Sequence, residues 1–418
     1  MTAEPVSVHG RAAFAFVLVT VLLDMLALGV MVPVLPRLIV EFMGGDIAGA
    51  ATIAGLFGFA WAAMQFLFSP VLGALSDRFG RRPVIVLSNF GMGLDYVMMA
   101  LAPSLWWLLA GRLFSGITAA TFATANAYVA DVTPADKRAA KFGMLGAAFG
   151  FGFIVGPAMG GVLGDIDLRL PFWVAAGLSF ANALYGLFVL PESLAPERRS
   201  PFRWRIANPV GSVRLLRSDR LLTGLGSAAF LQRIAHESLP GVFVLYTSYR
   251  YHWDSATIGM VLAAVGVAQM IVSAGLVGPI VARFGERRAL TAGLAFGTLG
   301  FAAYGLAPTG ALFFAGLPLL ALWGLSGPAL QGLMTRQVGP SDQGKLQGAL
   351  GSVLGIGGMI GPLLFTQVFA IALRAEGTLH MPGAPYLLAA LLIALALYVA
   401  RHVTRPGLGK PRVERSNA

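Results

Sequence analysis

Twelve stretches of roughly 20 mostly apolar residues follow one another along this chain, each long enough for a helix to cross a bilayer. They lie near 12–34, 50–74, 83–103, 105–129, 141–164 and 171–191, then near 221–246, 255–281, 288–308, 311–334, 347–372 and 384–402. Strands of a barrel would alternate over about ten residues, whereas these runs are continuous and rich in Gly and Ala, as packed membrane helices are. The expected fold is all-α and integral to the membrane. Composition agrees: 57% of the 418 residues are hydrophobic and 12% charged, more apolar surface than a soluble globule can hide.

The formal charge of +11 does not point to nucleic acid, because the positives fall in alternate loops. Arg78, Arg81 and Arg82 follow the second helix, Lys137, Arg138 and Lys141 the fourth, and Arg198 to Arg220 the sixth. Arg283, Arg287 and Arg288 follow the eighth, Arg336 and Lys345 the tenth, and Arg401 to Arg415 the twelfth. The opposite loops carry at most one arginine each: Arg37, Arg169, Arg250 or Arg374. The positive-inside rule therefore places both termini in the cytoplasm. The chain has no cysteine, which removes disulfides and thiolate metal sites. The first apolar run reads as a retained helix rather than a cleaved leader.

The chain repeats itself. Arg78-Phe79-Gly80 returns 205 residues later as Arg283-Phe284-Gly285, Gly111 as Gly316, and Gly156-Pro157 as Gly361-Pro362. V-T-P-A-D, ending at Asp136, is echoed by V-G-P-S-D, ending at Asp342. Two six-helix halves in the same orientation, 1–191 and 221–418, joined by a polar, proline-rich linker over 192–220, are the plan of a major facilitator transporter. The linker reads as a solvated spacer whose arginines meet lipid headgroups.

The turn after the second helix reads G-A-L-S-D-R-F-G-R-R-P. It resembles the signature loop of the major facilitator superfamily, G-x-L-x-D-R-x-G-R-R. Asp77 can cap a helix end and hold arginines, and glycines permit the turn. The resemblance implies a conformational latch built from Gly73, Asp77, Arg78, Gly80, Arg81 and Arg82. The second-half copy has Ala282 in place of the aspartate, so a weaker latch is expected there. In the fourth helix Gly111-Arg112, followed by Gly116, resembles the superfamily's arginine motif linked to proton transfer. In the fifth, Gly152, Gly156, Pro157, Gly160 and Gly161 resemble the glycine motif found in exporters; small residues four apart also simply let helices approach closely.

Further segments are similar to the class A and class B tetracycline efflux pumps, a group of drug:proton antiporters. They include T-V-L-L-D-M-L-A-L-G-V-M-V-P-V-L-P from Thr20 to Pro36, A-M-Q-F, G-L-D-Y, A-G-R-L-F-S-G-I-T, P-A-L-Q-G-L-M and I-G-P-L-L-F. The similarity covers nearly the whole chain and is strongest in the first half. It implies proton-coupled antiport of amphipathic, tetracycline-like drugs by alternating access, with no catalysed reaction and no cofactor beyond the proton gradient. The substrate could carry Mg, and no resident metal is expected. The expected partners are a small-molecule drug, protons and membrane lipids, with no nucleic acid and a monomer as the working unit. The expected location is a bacterial-type inner membrane. Proton-coupled uptake of another metabolite is the first alternative and a non-transporting membrane sensor the second.

Ionisable groups inside membrane helices are expensive and usually functional. Asp24 and Asp95 match acidic residues important in the tetracycline pumps, and Arg112 is the natural counter-charge. Asp24 with Arg112 is the expected proton-coupling pair, against a static ion pair that fixes the helices. Gln65 matches the family and could hydrogen-bond a substrate, or only a neighbouring helix. Where the class A and class B pumps carry a histidine implicated in proton translocation this chain has Gln269, and for an aspartate of the ninth helix it has Gly297. The seventh helix carries Arg233, His236 and Glu237, spaced to share one face. They are expected to line the substrate cavity with Gln269 and take over the missing duties, unless Arg233 and Glu237 merely neutralise each other. Trp106, Trp107, Tyr251 and Trp253 are expected as interface anchors.

Overall fold

The computed structural model describes residues 8–134, 137–200, 216, 219–339, 343–375 and 381–405. Most of the 192–220 linker, Asp136 and Asp342 of the echoed turn, and the arginines beyond 405 lie outside the described residues. Among the described residues there are helices and turns but no strand. Eleven helices among the described residues are long and apolar enough to cross a membrane.

In the first half the spans are α1 (Val8–Met31) with α2 (Leu35–Phe42), α3 (Ile47–Phe79), α4 (Arg81–Ala100), α5 (Leu105–Thr118) with α6 (Thr121–Val132), α7 (Arg138–Ile166) and α8 (Leu170–Phe188). In the second half come α9 (Arg220–His236) with α10 (Ser238–Tyr251), then α11 (Ser255–Ile271) running through a π turn into α12 (Val277–Phe284), then α13 (Glu286–Leu306). The tenth span is α14 (Gly310–Ala315), α15 (Leu317–Leu322) and α16 (Ser326–Thr335), followed by α17 (Gln343–Arg374) and α18 (Ala384–Val403). The seventh is the expected span missing from the eleven: it divides at Glu237 into pieces of 17 and 14 residues, and Gln232, Arg233, His236 and Glu237 at its middle lower its hydropathy.

The first, fourth, seventh and tenth spans are all broken, and the sequence says why. Proline has no N–H for the carbonyl four residues back, and its ring crowds that carbonyl. Pro33 and Pro36 fall at the α1–α2 break, Pro240 frees the carbonyl of His236 at the α9–α10 break, and Pro318 and Pro328 stand in the first turns of α15 and α16 in the tenth span. In the fourth span the Thr118 hydroxyl donates instead to the carbonyls of Phe114 and Ser115 at 3.1 and 3.3 Å, the back-bonding that bends membrane helices.

Contacts gather the described residues into two compact units. The first comprises residues within 1–42, 60–208 and 254–266, the second those within 43–59, 209–253 and 267–418. In the first, glycines set the packing of α1 on α7: a Cβ on Gly156 would stand 2.7 Å from the Gly29 Cα, and one on Gly152 would stand 2.6 Å from the Met25 Cβ. Asn182 of α8 ties three helices together, donating to the Asn89 Oδ1 of α4 and the Thr20 carbonyl of α1, both at 2.9 Å. In the second unit Tyr246, Tyr304, Phe313 and Tyr386 form an aromatic cluster. Tyr251 and Trp253 pack into this cluster, because the Tyr251 hydroxyl reaches the Ala307 carbonyl at 2.9 Å. Trp106 and Trp107 are exposed.

Candidate functional site

Arg112 of α5 does not meet Asp24. It donates to Asp95 of α4 at 2.5 Å, and both side chains are buried. The reason is local: a Cβ on Gly111 would stand 2.5 Å from the Asp95 Oδ1, so the glycine before the arginine leaves room for the carboxylate that the arginine holds. The next glycine, Gly116, brings α5 against the Trp61 carbonyl of α3. Asp24 of α1 is buried, and its Oδ1 has no hydrogen-bond partner among the described residues. Gln65 lies half-buried in α3.

The signature loop closes around Arg81. Its guanidinium reaches Asp77 at 2.5 Å, Asp131 of α6 at 3.1 Å and the Ser76 hydroxyl at 2.7 Å. Gly80 turns the chain at φ 108°, in the left-handed region that favours glycine, whereas Gly73 sits inside α3 with open space around it. Arg78 is exposed and lies over the Phe79 ring. Arg82 donates to the carbonyls of Gly186 and Leu187 at the end of α8. Asp77 does not cap α4. Glu192 does, accepting from the backbone N–H groups of Arg81 at 2.8 Å and Arg82 at 3.2 Å. The only sequence signal for Asp131 and Glu192 is an acid at the end of the fourth and of the sixth span respectively.

The second-half copy keeps one ion pair, between Glu286 and Arg336 at 3.0 Å. Its glycine, Gly285, also has a positive φ, of 80°.

Within the second unit the seventh-span residues come together around a run of glycines in α17. Arg233 forms an ion pair with Glu237. A Cβ on Gly357 or Gly358 would stand 2.9 Å from the Arg233 side chain, and one on Gly361 would stand 2.5 Å from the Glu237 Cγ. G-I-G-G-M-I-G is therefore a slot for this pair. Glu237 is buried and Arg233 half-buried, whereas His236 is exposed, although it stands midway along a span. Its ring faces the Trp323 indole, 6.0 Å between centroids. Trp323 in turn donates to the Gln232 Oε1 at 3.3 Å, and Ser326 donates to the same oxygen at 2.6 Å.

Trp323 also explains Gly297. A Cβ at 297 would stand 2.7 Å from the Trp323 Cδ1, so the indole fills the space a side chain there would need. Gln269 is exposed and lies against Gly324, beside that indole. Trp323 and Ser326 thus join the polar group of the seventh span through Gln232; nothing local in the sequence marks either of them. In the first unit Asp24 and the ion-paired Arg112 lie on broken spans, and in the second unit Arg233, Glu237 and Trp323 do. Interrupted helices are where transporters build binding sites, because freed backbone groups and inward side chains face a cavity instead of lipid.

Among the described residues no cluster of His, Asp or Glu could hold a metal ion.

The Major Facilitator Superfamily profile matches residues 17–236 and 225–416. The class C tetracycline resistance protein of Escherichia coli is 41% identical over 86% of this chain and 90% of its own length. The class B protein of Escherichia coli is 38% identical over 84% and 87%. Among solved structures, the human organic anion transporter MFSD10 is 24% identical and superposes with a TM-score of 0.70, covering 94% of this chain and 99% of that one. This chain, a multi-pass membrane protein and a transporter rather than an enzyme, belongs to the Major Facilitator Superfamily and within it is similar to the tetracycline resistance proteins.

Proposed function

We propose that this protein is a proton-coupled antiporter that exports amphipathic drugs, tetracycline-like compounds foremost, by alternating access between two six-helix halves in a bacterial-type inner membrane. The carrying observation is Asp24: a carboxylate at membrane depth, buried, on a broken span, with an oxygen that has no partner. A charge there costs at least about 2.5 kcal/mol, and a buried carboxylate with an oxygen that no hydrogen bond satisfies is suited to taking and giving up a proton. Asp95, held by Arg112 at the next broken span, is the second member. In this reading Arg233, His236 and Glu237 stand in for the histidine and aspartate that Gln269 and Gly297 replace. Exposed His236 faces the substrate, and Glu237 exchanges a proton while Arg233 holds it. The names of the relatives support tetracycline as the substrate, and the basic loops support cytoplasmic termini.

The test is drug accumulation in a pump-deficient bacterium expressing the chain, with and without a protonophore. Tetracycline should fall relative to cells lacking the protein, and the protonophore should abolish the difference. Asp24→Asn should abolish export, whereas Arg233→Leu, His236→Ala and Glu237→Gln should each weaken it while the protein still reaches the membrane. Unchanged accumulation of tetracycline and of unrelated amphipathic drugs, with expression verified, would turn the reading toward uptake. Full export by all three seventh-span variants would remove that cluster from the mechanism.

A further inference from the structure

The outward faces of α4 and α8 leave between them an apolar groove of about 950 Å³. Leu87, Phe90 and Leu184 stand along it 60%, 48% and 55% exposed. Its polar lining side chains are Arg82, at the start of α4, with Glu192 and Arg199 of the segment that follows α8. From Arg82 to Phe90 the groove follows α4 for about 12 Å, at 1.5 Å per residue. One leaflet's share of a hydrocarbon core of ~30 Å is ~15 Å. The groove therefore has nearly the depth of a single leaflet, apolar along its length and cationic where headgroups lie.

The charges at its mouth do not cancel. Both Glu192 oxygens accept backbone N–H groups, from Arg81, Ser193 and Leu194 on one and from Arg82 on the other, so this carboxylate is turned to the start of α4. Arg82 uses its Nε and one terminal nitrogen on the carbonyls that end α8, which leaves the second terminal nitrogen for another acceptor. The Arg199 side chain is exposed at the same mouth.

We infer that this groove is a binding site for an anionic glycerophospholipid, with an acyl chain between α4 and α8 and the phosphate on Arg82 and Arg199. Basic pockets between membrane helices take anionic headgroups, each arginine near the surface contributing about 1 kcal/mol, or about fivefold in affinity. An acyl chain satisfies the rest of the groove, whose other lining side chains are all apolar. Because Arg82 adjoins Arg81, the residue that holds Asp77 and Asp131, the bound lipid bears on the signature loop. The site is independent of which drug the protein carries.

The experiment is native mass spectrometry of the purified, delipidated full chain, titrated with phosphatidylglycerol and phosphatidylcholine of identical acyl chains. The first phosphatidylglycerol should bind at least about fivefold tighter than phosphatidylcholine, and inorganic phosphate should not displace it. Arg199→Gln should lower that preference by about fivefold, and Leu184→Trp, which narrows the groove on its lipid-facing side, should weaken both lipids alike. Equal binding of the two lipids by the unmodified chain, an unchanged preference in Arg199→Gln, or a dimer that excludes both lipids would overturn the assignment.

Discussion

Glu286 and Arg336 meet at 3.0 Å, and each stands 205 residues beyond Arg81 and Asp131, which meet at 3.1 Å with the charges exchanged. The repeat has kept the position of the ion pair and reversed its sign. Exposure separates the two copies: the Arg336 side chain is 74% exposed, the Arg81 side chain 10%. Exposed pairs contribute about 0–1 kcal/mol, whereas removing one partner of a buried pair costs about 3–5 kcal/mol. Asp131→Ala should therefore lower the melting temperature in detergent clearly, and Arg336→Ala only slightly. Glu286→Arg sets two arginines together and should impair the protein, and adding Arg336→Asp should restore it. A double variant no better than the single one would refute the pairing.

The twelve spans, the repeat and the signature loop could be read from the sequence because each is a local pattern of apolar length, loop charge or glycine spacing. What could not be read is where side chains reach between spans. Charge and depth alone offer Arg112 both Asp24 and Asp95 and favour Asp24 as its coupling partner, but which carboxylate it holds depends on the room that Gly111 leaves beside Asp95. Glu192 escaped notice because its partners are backbone N–H groups of α4, and a backbone donor leaves no mark in composition. Arg233 and Glu237 were legible as a pair through their i,i+4 spacing, whereas the glycine slot in α17 that receives them lies more than a hundred residues away.

The contact between Gly297 and Trp323 makes the departure from the tetracycline pumps testable. Gly297→Asp, which introduces the residue that the resemblance to the tetracycline pumps implies there, should destabilise this chain by about 1–3 kcal/mol through overpacking and lower the amount reaching the membrane. Trp323→Ala opens the space, so Gly297→Asp combined with Trp323→Ala should recover folding. Melting temperature in detergent reads the result, and a Gly297→Asp protein as stable as the parent would show that the indole does not need that space.

Removing Arg112 leaves Asp95 buried without its counter-charge. Arg112→Leu should cost about 3–5 kcal/mol and abolish export. Adding Asp95→Asn removes the orphaned charge and should return much of the stability without returning transport. Thermal stability and drug accumulation measured side by side separate the two effects. Recovery of export in the double variant would mean that the pair fixes the helices and carries no proton.

The start of α11 is held by two aspartates of the first unit. Asp165 at the end of α7 accepts from the backbone N–H groups of Ser255 and Ala256 at 2.9 and 3.0 Å, and Asp254 accepts from that of Thr257 at 2.8 Å. Arg37 reaches Asp165 at 3.4 Å and bonds the Ser255 hydroxyl. An N-cap replaced by alanine costs about 0.5–2 kcal/mol, so Asp165→Ala should loosen this end, read as faster amide hydrogen exchange over residues 255–259. Hydrogen bonds from Thr257 hold the Asp254 carboxyl below its usual range. A depressed folded value means that this cap is fully effective above the unfolded carboxylate's value of about 3.9 and fades only as pH falls through the lower, folded one. In Asp165→Ala, which retains Asp254, exchange over 255–259, corrected for the intrinsic pH dependence, should therefore stay constant from neutral pH down to about pH 4 and rise below it. A rise beginning near pH 6 would point to a group other than Asp254.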